Sequence, residues 1–158
     1  AFYLGILKDK ENKSSEAIAF YEQAISLETD DFKKAKLYNR IALKLKGRKN
    51  YSKARSYFRK SLSLNPSNGR PHLSIAAMYA ASAKNCGDSN FNKRAVYWLA
   101  ADEARKAGRV DPTQKSNAAK SVANYLAKAP SKAEIFTEAN SGQTIEVGCW
   151  IGLSVKVP

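Results

Sequence analysis

"AIAFYEQAISLETD", residues 17–30, aligns without gaps with "ARSYFRKSLSLNPS", residues 54–67, and with "AADEARKAGRVDPT", residues 100–113. Each stretch opens on an alanine (Ala17, Ala54, Ala100) and carries Tyr21, Phe58 or Ala104 four positions later. A small residue follows three further on (Ala24, Ser61, Ala107), and then an aliphatic one (Leu27, Leu64, Val110). The spacing i, i+4, i+7 lines one face of a helix, and small side chains there let a neighbouring backbone come close. Each stretch therefore predicts the second helix of a hairpin. Pro66 and Pro112 follow two of the helix ends, where a residue without an N–H cannot continue the ladder.

A partner pattern lies upstream of each stretch: Leu4-Gly5, then Tyr38-x-x-Ile41-Ala42-x-x-Leu45, then His72-x-x-Ile75-Ala76-x-x-Tyr79. Gly5 to Ala17 and Ala42 to Ala54 are both twelve residues apart. A fourth copy, Ala118-x-x-Ser121-Val122-x-x-Tyr125, stands six residues after Pro112, just as His72 stands six after Pro66. The series resembles the tetratricopeptide repeat, whose helix pairs carry W-x2-L-G-x2-Y, then A-x3-F, then P. The resemblance covers residues 1–128 and implies an α–α superhelix of about three helix pairs plus a capping helix. Departures are visible: Ala1, Tyr38, His72 and Ala118 fill the Trp position, and Gly5 alone fills the Gly position. Ala17 to Ala54 is 37 residues, and Ala76 to Ala100 is 24 rather than twelve, which places an inserted loop at "KNCGDSNFNKR" and lengthens the following helix toward Phe91.

Residues 129–158 have a different texture. Ser131 with Glu134 three later is a capping-box signature for a short helix ending near Asn140-Ser141-Gly142. In "TIEVGCWIGLSVKV" the alternation of Ile145, Val147, Cys149 and Ile151, followed by Leu153, Val155 and Val157, is that of two strands with Gly152 near the turn. An isolated hairpin is marginal in water, so this one is expected to pack on the helical array as a terminal cap. The fold expectation is thus mostly α, with a short C-terminal β-hairpin. Irregular repeats, an "NCGD" loop and a terminal "GCWIG" hairpin together resemble the C-terminal part of tetratricopeptide-repeat proteins of Bacteroidota. That narrower resemblance implies a bacterial cell-envelope setting, periplasmic or outer-membrane-associated, with a cytoplasmic one as the alternative.

Charge sets the next constraint. The chain of 158 residues has a net charge of +13, and between Phe32 and Gly87 it holds fourteen Lys and Arg and no acidic residue. Such a field attracts anionic partners and weakens with salt. On a wheel of residues 51–63, however, Ala54, Tyr57, Phe58, Ser61 and Leu62 share one arc, with Lys53, Arg55, Arg59 and Lys60 outside it. The aromatics therefore face the core, where they cannot stack on bases, and no RNP, KH or Cys/His-finger motif is present. Nucleic acid is disfavoured; an anionic membrane surface stays open.

The longest apolar run, Leu73 to Ala83, falls short of the ~20 residues that span a bilayer. The chain opens at Ala1 without an initiator Met, and we expect it to be part of a larger chain or complex. Cys86, Cys149 and the lone His72 cannot make a four-ligand zinc site, so no metal is expected. The two cysteines are compatible either with one disulfide or with two thiols. No phosphate-cradling Gly loop, HExxH or nucleophile elbow appears, so neither enzymatic activity nor a cofactor is expected.

The resemblance implies that first helices line a concave groove holding an extended or helical partner segment. Its groove-facing positions fall here on Phe2 and Ile6, then Lys36, Asn39, Arg40, Leu43 and Lys46, then Arg70, Leu73, Ser74 and Ala77. Aliphatic contacts beside cations suit a peptide with apolar anchors and acidic residues, or a free C-terminal carboxylate. The carboxylate clamp of chaperone-binding members needs Lys and Asn where this chain has Phe2 and Ile6, so that function is not expected. The leading expectation is a non-enzymatic protein-binding scaffold. Its competitors are an electrostatic binder of RNA, DNA or lipid headgroups and a purely structural spacer.

Overall fold

Among the described residues, eight α-helices follow one another before the chain turns to strand: α1 (Phe2–Lys10), α2 (Ser14–Leu27), α3 (Asp31–Gly47), α4 (Tyr51–Leu64), α5 (Arg70–Ser82), α6 (Asn90–Val110), α7 (Lys115–Lys128) and α8 (Lys132–Glu138). Strands β1 (Thr144–Val147) and β2 (Leu153–Lys156) then close an antiparallel hairpin. The computed structural model describes residues 1–138 and 140–158. The chain is mostly α, a helix-pair repeat array followed by a two-stranded hairpin, and it divides into two compact units, Ala1–Pro71 and His72–Pro158.

In the first unit α1 pairs with α2 and α3 with α4. The two hairpins close in the same way. Asn12 (φ 58°) and Lys49 (φ 59°) take the left-handed conformation one residue past the C-caps of α1 and α3. The next amide then reaches back to the last turn, Lys13 N to Lys8 O and Asn50 N to Leu45 O, both at 2.9 Å. These are the bonds of a Schellman closure, and they satisfy carbonyls that the helix leaves without partners. Asp30 starts α3 by accepting the Lys33 amide at 2.9 Å, so only three residues separate α2 from α3.

The small-residue face does what its spacing predicts. Ala17 and Ala54 are fully buried, as are Tyr21 and Phe58 one turn on. Gly5 lies so near the Tyr21 ring that a β-carbon there would stand 2.5 Å from Cε1. Close approach, rather than backbone freedom, makes glycine necessary. Ser61 is buried with its hydroxyl donating to the Ala35 carbonyl at 2.8 Å, which ties α4 to α3. One member of the face behaves otherwise. Leu27, expected to pack with its counterparts Leu64 and Val110, is 74% exposed, whereas those two, which also end their helices, are half-buried.

In the second unit Ala100, Ala104 and Ala107 are fully buried on α6, which packs against α7 and carries both strands of the hairpin. The expected capping box forms: Ser131 N donates to Glu134 at 2.7 Å, and Glu134 N to Ser131 Oγ at 3.2 Å. Arg94 of α6 donates to the Lys128 and Ala129 carbonyls at the end of α7 and pairs with Glu134 of α8. α8 is described to Glu138, and position 139, between it and the expected end at residues 140–142, lies outside the described residues.

The hairpin pairs Ile145 with Val155 and Val147 with Leu153, and buries Val147, Ile151, Val155 and Val157. β1 is shorter than the alternation to Ile151 predicts. Residues 148–152 form the turn instead, with Cys149 (φ 51°) and Gly152 (φ 56°) in left-handed conformation. Cys149 is bonded to Cys86, and the Trp150 indole donates to Ser82 Oγ at 2.8 Å while its ring lies 5.5 Å from that of Tyr79. Turn side chains thereby hold the α5 end and the loop after it.

Candidate functional site

The first unit contains a groove of about 1050 Å³. α3 forms one wall with Lys33, Lys36, Asn39, Arg40 and Leu43, three to four residues apart and so on one helical stripe. Phe2 and Asp9 of α1, Ala24 and Leu27 of α2 and Glu28 just after it complete the lining, apolar except for the two carboxylates. Leu37 lines the groove too and is buried.

Arg40 is the most firmly placed cation. Its guanidinium carbon lies 5.5 Å from the centroids of both the Phe2 and Tyr21 rings, and Nη1 donates to the Tyr21 hydroxyl at 3.2 Å. Two aromatic rings thus flank the fork, which also lines the groove. The Tyr21 hydroxyl donates in turn to Asp9, and Lys44 pairs with the same carboxylate. Burial and the bond to Asp9 push the Tyr21 phenol up, with Arg40 pulling the other way. Gly5 belongs to this arrangement too, since it admits the ring that seats Arg40.

The wall residues leave a cationic excess. Lys33, Lys36, Arg40 and Lys44 face two carboxylates, Asp9 and Glu28. Asp9 is held by Lys44 and Tyr21, and Glu28 accepts the Asp30 and Thr29 amides at 3.0 Å, which keeps its carboxyl below the usual range.

Of the positions named from sequence, Phe2, Lys36, Asn39, Arg40 and Leu43 line this single groove. Ile6 and Lys46 are half-buried away from its lining, and burial lowers the Lys46 ammonium. Arg70 is exposed at the first turn of α5, whereas Leu73, Ser74 and Ala77 are half-buried further along that helix, in the second unit. On α4, Lys53, Arg59 and Lys60 are exposed while Tyr57 and Phe58 are buried. The Tyr57 phenol is pushed up to about 12 by burial and by its bond to Glu22.

Sequence reading placed no carboxylate beside His72, but the structure does. Its Nδ1–H donates to Glu103 Oε1 at 2.7 Å, and Lys106 Nζ donates to Oε2 at 2.9 Å. Glu103 is only 3% exposed, and burial alone would raise its carboxyl; the bonds from His72 and Lys106 outweigh that and hold it below the ordinary value. The signal was present: Val96, Ala100, Glu103 and Ala107 follow i, i+4, i+7, i+11, so an acid falls on the buried stripe. No group of three or more His, Cys, Asp or Glu is placed to hold a metal among the described residues, and no described helix is long and apolar enough to cross a membrane.

Comparison with curated proteins returned no match to this chain. Two family models do match, both described as tetratricopeptide repeat, over residues 4–31 and residues 35–68. The first stretch takes in α2 and most of α1, and the second takes in α4 and most of α3. Both matched stretches lie in the first unit and follow its two helix pairs.

Proposed function

We propose that this chain is a non-enzymatic interaction scaffold whose groove, lined by Phe2, Lys36, Asn39, Arg40 and Leu43, holds a partner segment bearing acidic and apolar residues. Tetratricopeptide repeats generally mediate protein–protein interaction. The observation that supports the specific reading is one groove lined both by the cations Lys33, Lys36 and Arg40 of α3 and by Phe2, Ala24 and Leu27, where the carboxylates Asp9 and Glu28 are already engaged. Ile6, Lys46, Arg70, Leu73, Ser74 and Ala77 belong to the wider expected surface, with Arg70 the exposed cation among them.

The Cys86–Cys149 bond supports an oxidising compartment, and with it the bacterial envelope setting that the resemblance to Bacteroidota proteins implies. In this reading residues 1–128 act as the repeat array and residues 129–158 as its cap. Selection from a random peptide library on the 158-residue chain tests the groove. Enrichment of peptides with both acidic and apolar residues, lost on Lys36→Ala with Leu43→Ala, is the expected outcome; enrichment indifferent to those substitutions overturns it. A second reading, an electrostatic binder of anionic polymer or membrane surface, draws on the fourteen cations between Phe32 and Gly87 and predicts binding insensitive to peptide sequence.

A further inference from the structure

We infer that the outer face of α4, with the turn before it, is a docking face for a membrane surface rich in anionic phospholipid headgroups. This gives the second reading above a place on the fold and rests on that reading; the groove has no part in it. α4 buries Ala54, Tyr57, Phe58 and Ser61 and leaves Ser52, Lys53, Ser56, Arg59 and Lys60 exposed. At about 3.6 residues per turn, Ser52 and Ser56 run down the middle of that face, Lys53 and Lys60 lie along one side, and Arg59 lies on the other. Small hydroxyls in the middle let the longer cationic chains on both sides reach one plane. Arg48 and Lys49, exposed in the turn between α3 and α4, extend the face past the helix start.

Acidic residues do little to offset this charge. No Asp or Glu stands between Phe32 and Gly87. On α2, Glu22 accepts the Tyr57 hydroxyl, and Glu16 pairs with Lys8 at 3.2 Å. Lys60 has its ammonium 5.0 Å from the centroid of the Tyr57 ring and 5.7 Å from that of Tyr38, two aromatic seats that hold the charge at the surface.

The chemistry of the face selects lipid headgroups from among the polyanions. Tyr57 and Phe58 are buried, so neither can stack on a base. The other large apolar side chains of α4 are half-buried, which leaves nothing to insert among acyl chains and keeps the contact electrostatic, reversible and screened by salt. In an oxidising compartment, which the Cys86–Cys149 bond supports, lipid headgroups rather than nucleic acid are the polyanion at hand.

Co-sedimentation of the whole chain with phosphatidylcholine vesicles, with and without phosphatidylglycerol, tests this at one low ionic strength. The parent should bind only the vesicles that contain phosphatidylglycerol. Lys53→Gln alone should weaken that binding about fivefold, and Lys53→Gln with Arg59→Gln and Lys60→Gln about a hundredfold. Lys115→Gln with Lys120→Gln and Lys132→Gln removes the same charge from exposed positions elsewhere and should cost less than about fivefold. Lys53→Arg with Lys60→Arg should bind as the parent does. Equal losses from the two triple variants overturn the α4 assignment and leave the charge-only reading standing. Absence of binding to vesicles containing phosphatidylglycerol overturns both. Duplex DNA held as tightly as those vesicles, with the same loss in the α4 triple variant, overturns the lipid assignment.

Discussion

Replacing Gly5 with alanine should destabilise the first unit, although the same change in an exposed helix interior stabilises by about 1 kcal/mol. The structure decides the sign. A β-carbon at Gly5 would stand 2.5 Å from Tyr21 Cε1 and 2.7 Å from Cδ1, about 0.9 Å short of the 3.4 Å at which ordinary contact begins. The ring cannot retreat, because it is fully buried and its hydroxyl is tied to Asp9 and Arg40. Forcing a methyl into such a core costs about 1–3 kcal/mol, so crediting about 1 kcal/mol of propensity leaves a net loss of up to about 2 kcal/mol, centred on about 1. Both tryptophans, Trp98 and Trp150, lie in the second unit, so unfolding of the first is best followed by far-UV circular dichroism in urea. With a slope of about 2 kcal/mol/M, a loss of about 1 kcal/mol lowers the midpoint by about 0.5 M. Gly47→Ala is the control. Nothing lies within 4 Å of a β-carbon there, and the midpoint should rise, by about 0.4–1 kcal/mol in stability. In a Tyr21→Leu background Gly5→Ala should lose most of its penalty. A Gly5→Ala protein as stable as the parent would refute the close-packing argument.

Further outcomes follow from the second unit. Reducing the Cys86–Cys149 bond, which closes a loop of sequence separation 63, should lower stability by about 4 kcal/mol, read from tryptophan fluorescence in urea with and without reductant. Glu103 is depressed in the folded chain, so the unfolded chain binds the extra proton as pH falls; its contribution is complete above the ordinary value of 4.5 and is lost as pH drops through the folded value. Glu103→Gln should therefore cost about 1–3 kcal/mol at neutral pH and flatten the acid limb of the stability curve, and an unchanged limb would contradict the assignment.

Much of the helical architecture was legible because helix pairing leaves a local trace. Ala17-Tyr21-Ala24 and Ala54-Phe58-Ser61 record a close-packed face within two turns, and Ser131 with Glu134 records a helix start within four residues. What the spacing could not record is which distant side chain fills a place on that face. The His72–Glu103 bond joins residues 31 apart, and Glu103 beside Asp102 reads as one more surface acid unless the buried stripe is followed through it. Leu27 misled for the opposite reason: its spacing put it on the packed face with Leu64 and Val110, but its side chain lines the groove and stays exposed. The β1 boundary depended on left-handed Cys149 and on Trp150 reaching Ser82, and alternation of apolar residues contains neither fact. Within the groove, the α3 stripe was readable from helical spacing together with the family pattern. The seating of Arg40 on Phe2 and Tyr21 required three helices to be placed at once.

Charge alone or a shaped groove is the question on which the account turns, and one pair of variants separates them. Lys36→Ala with Arg40→Ala and Lys53→Ala with Arg59→Ala each remove two positive charges, the first pair from the groove and the second from the exposed side of α4. The affinity of a library-selected peptide bearing acidic and apolar residues, measured for both at one ionic strength, should fall at least about tenfold for the groove pair and stay close to the parent for the α4 pair. Equal losses from the two pairs would show that net charge, not the groove, is what the partner reads.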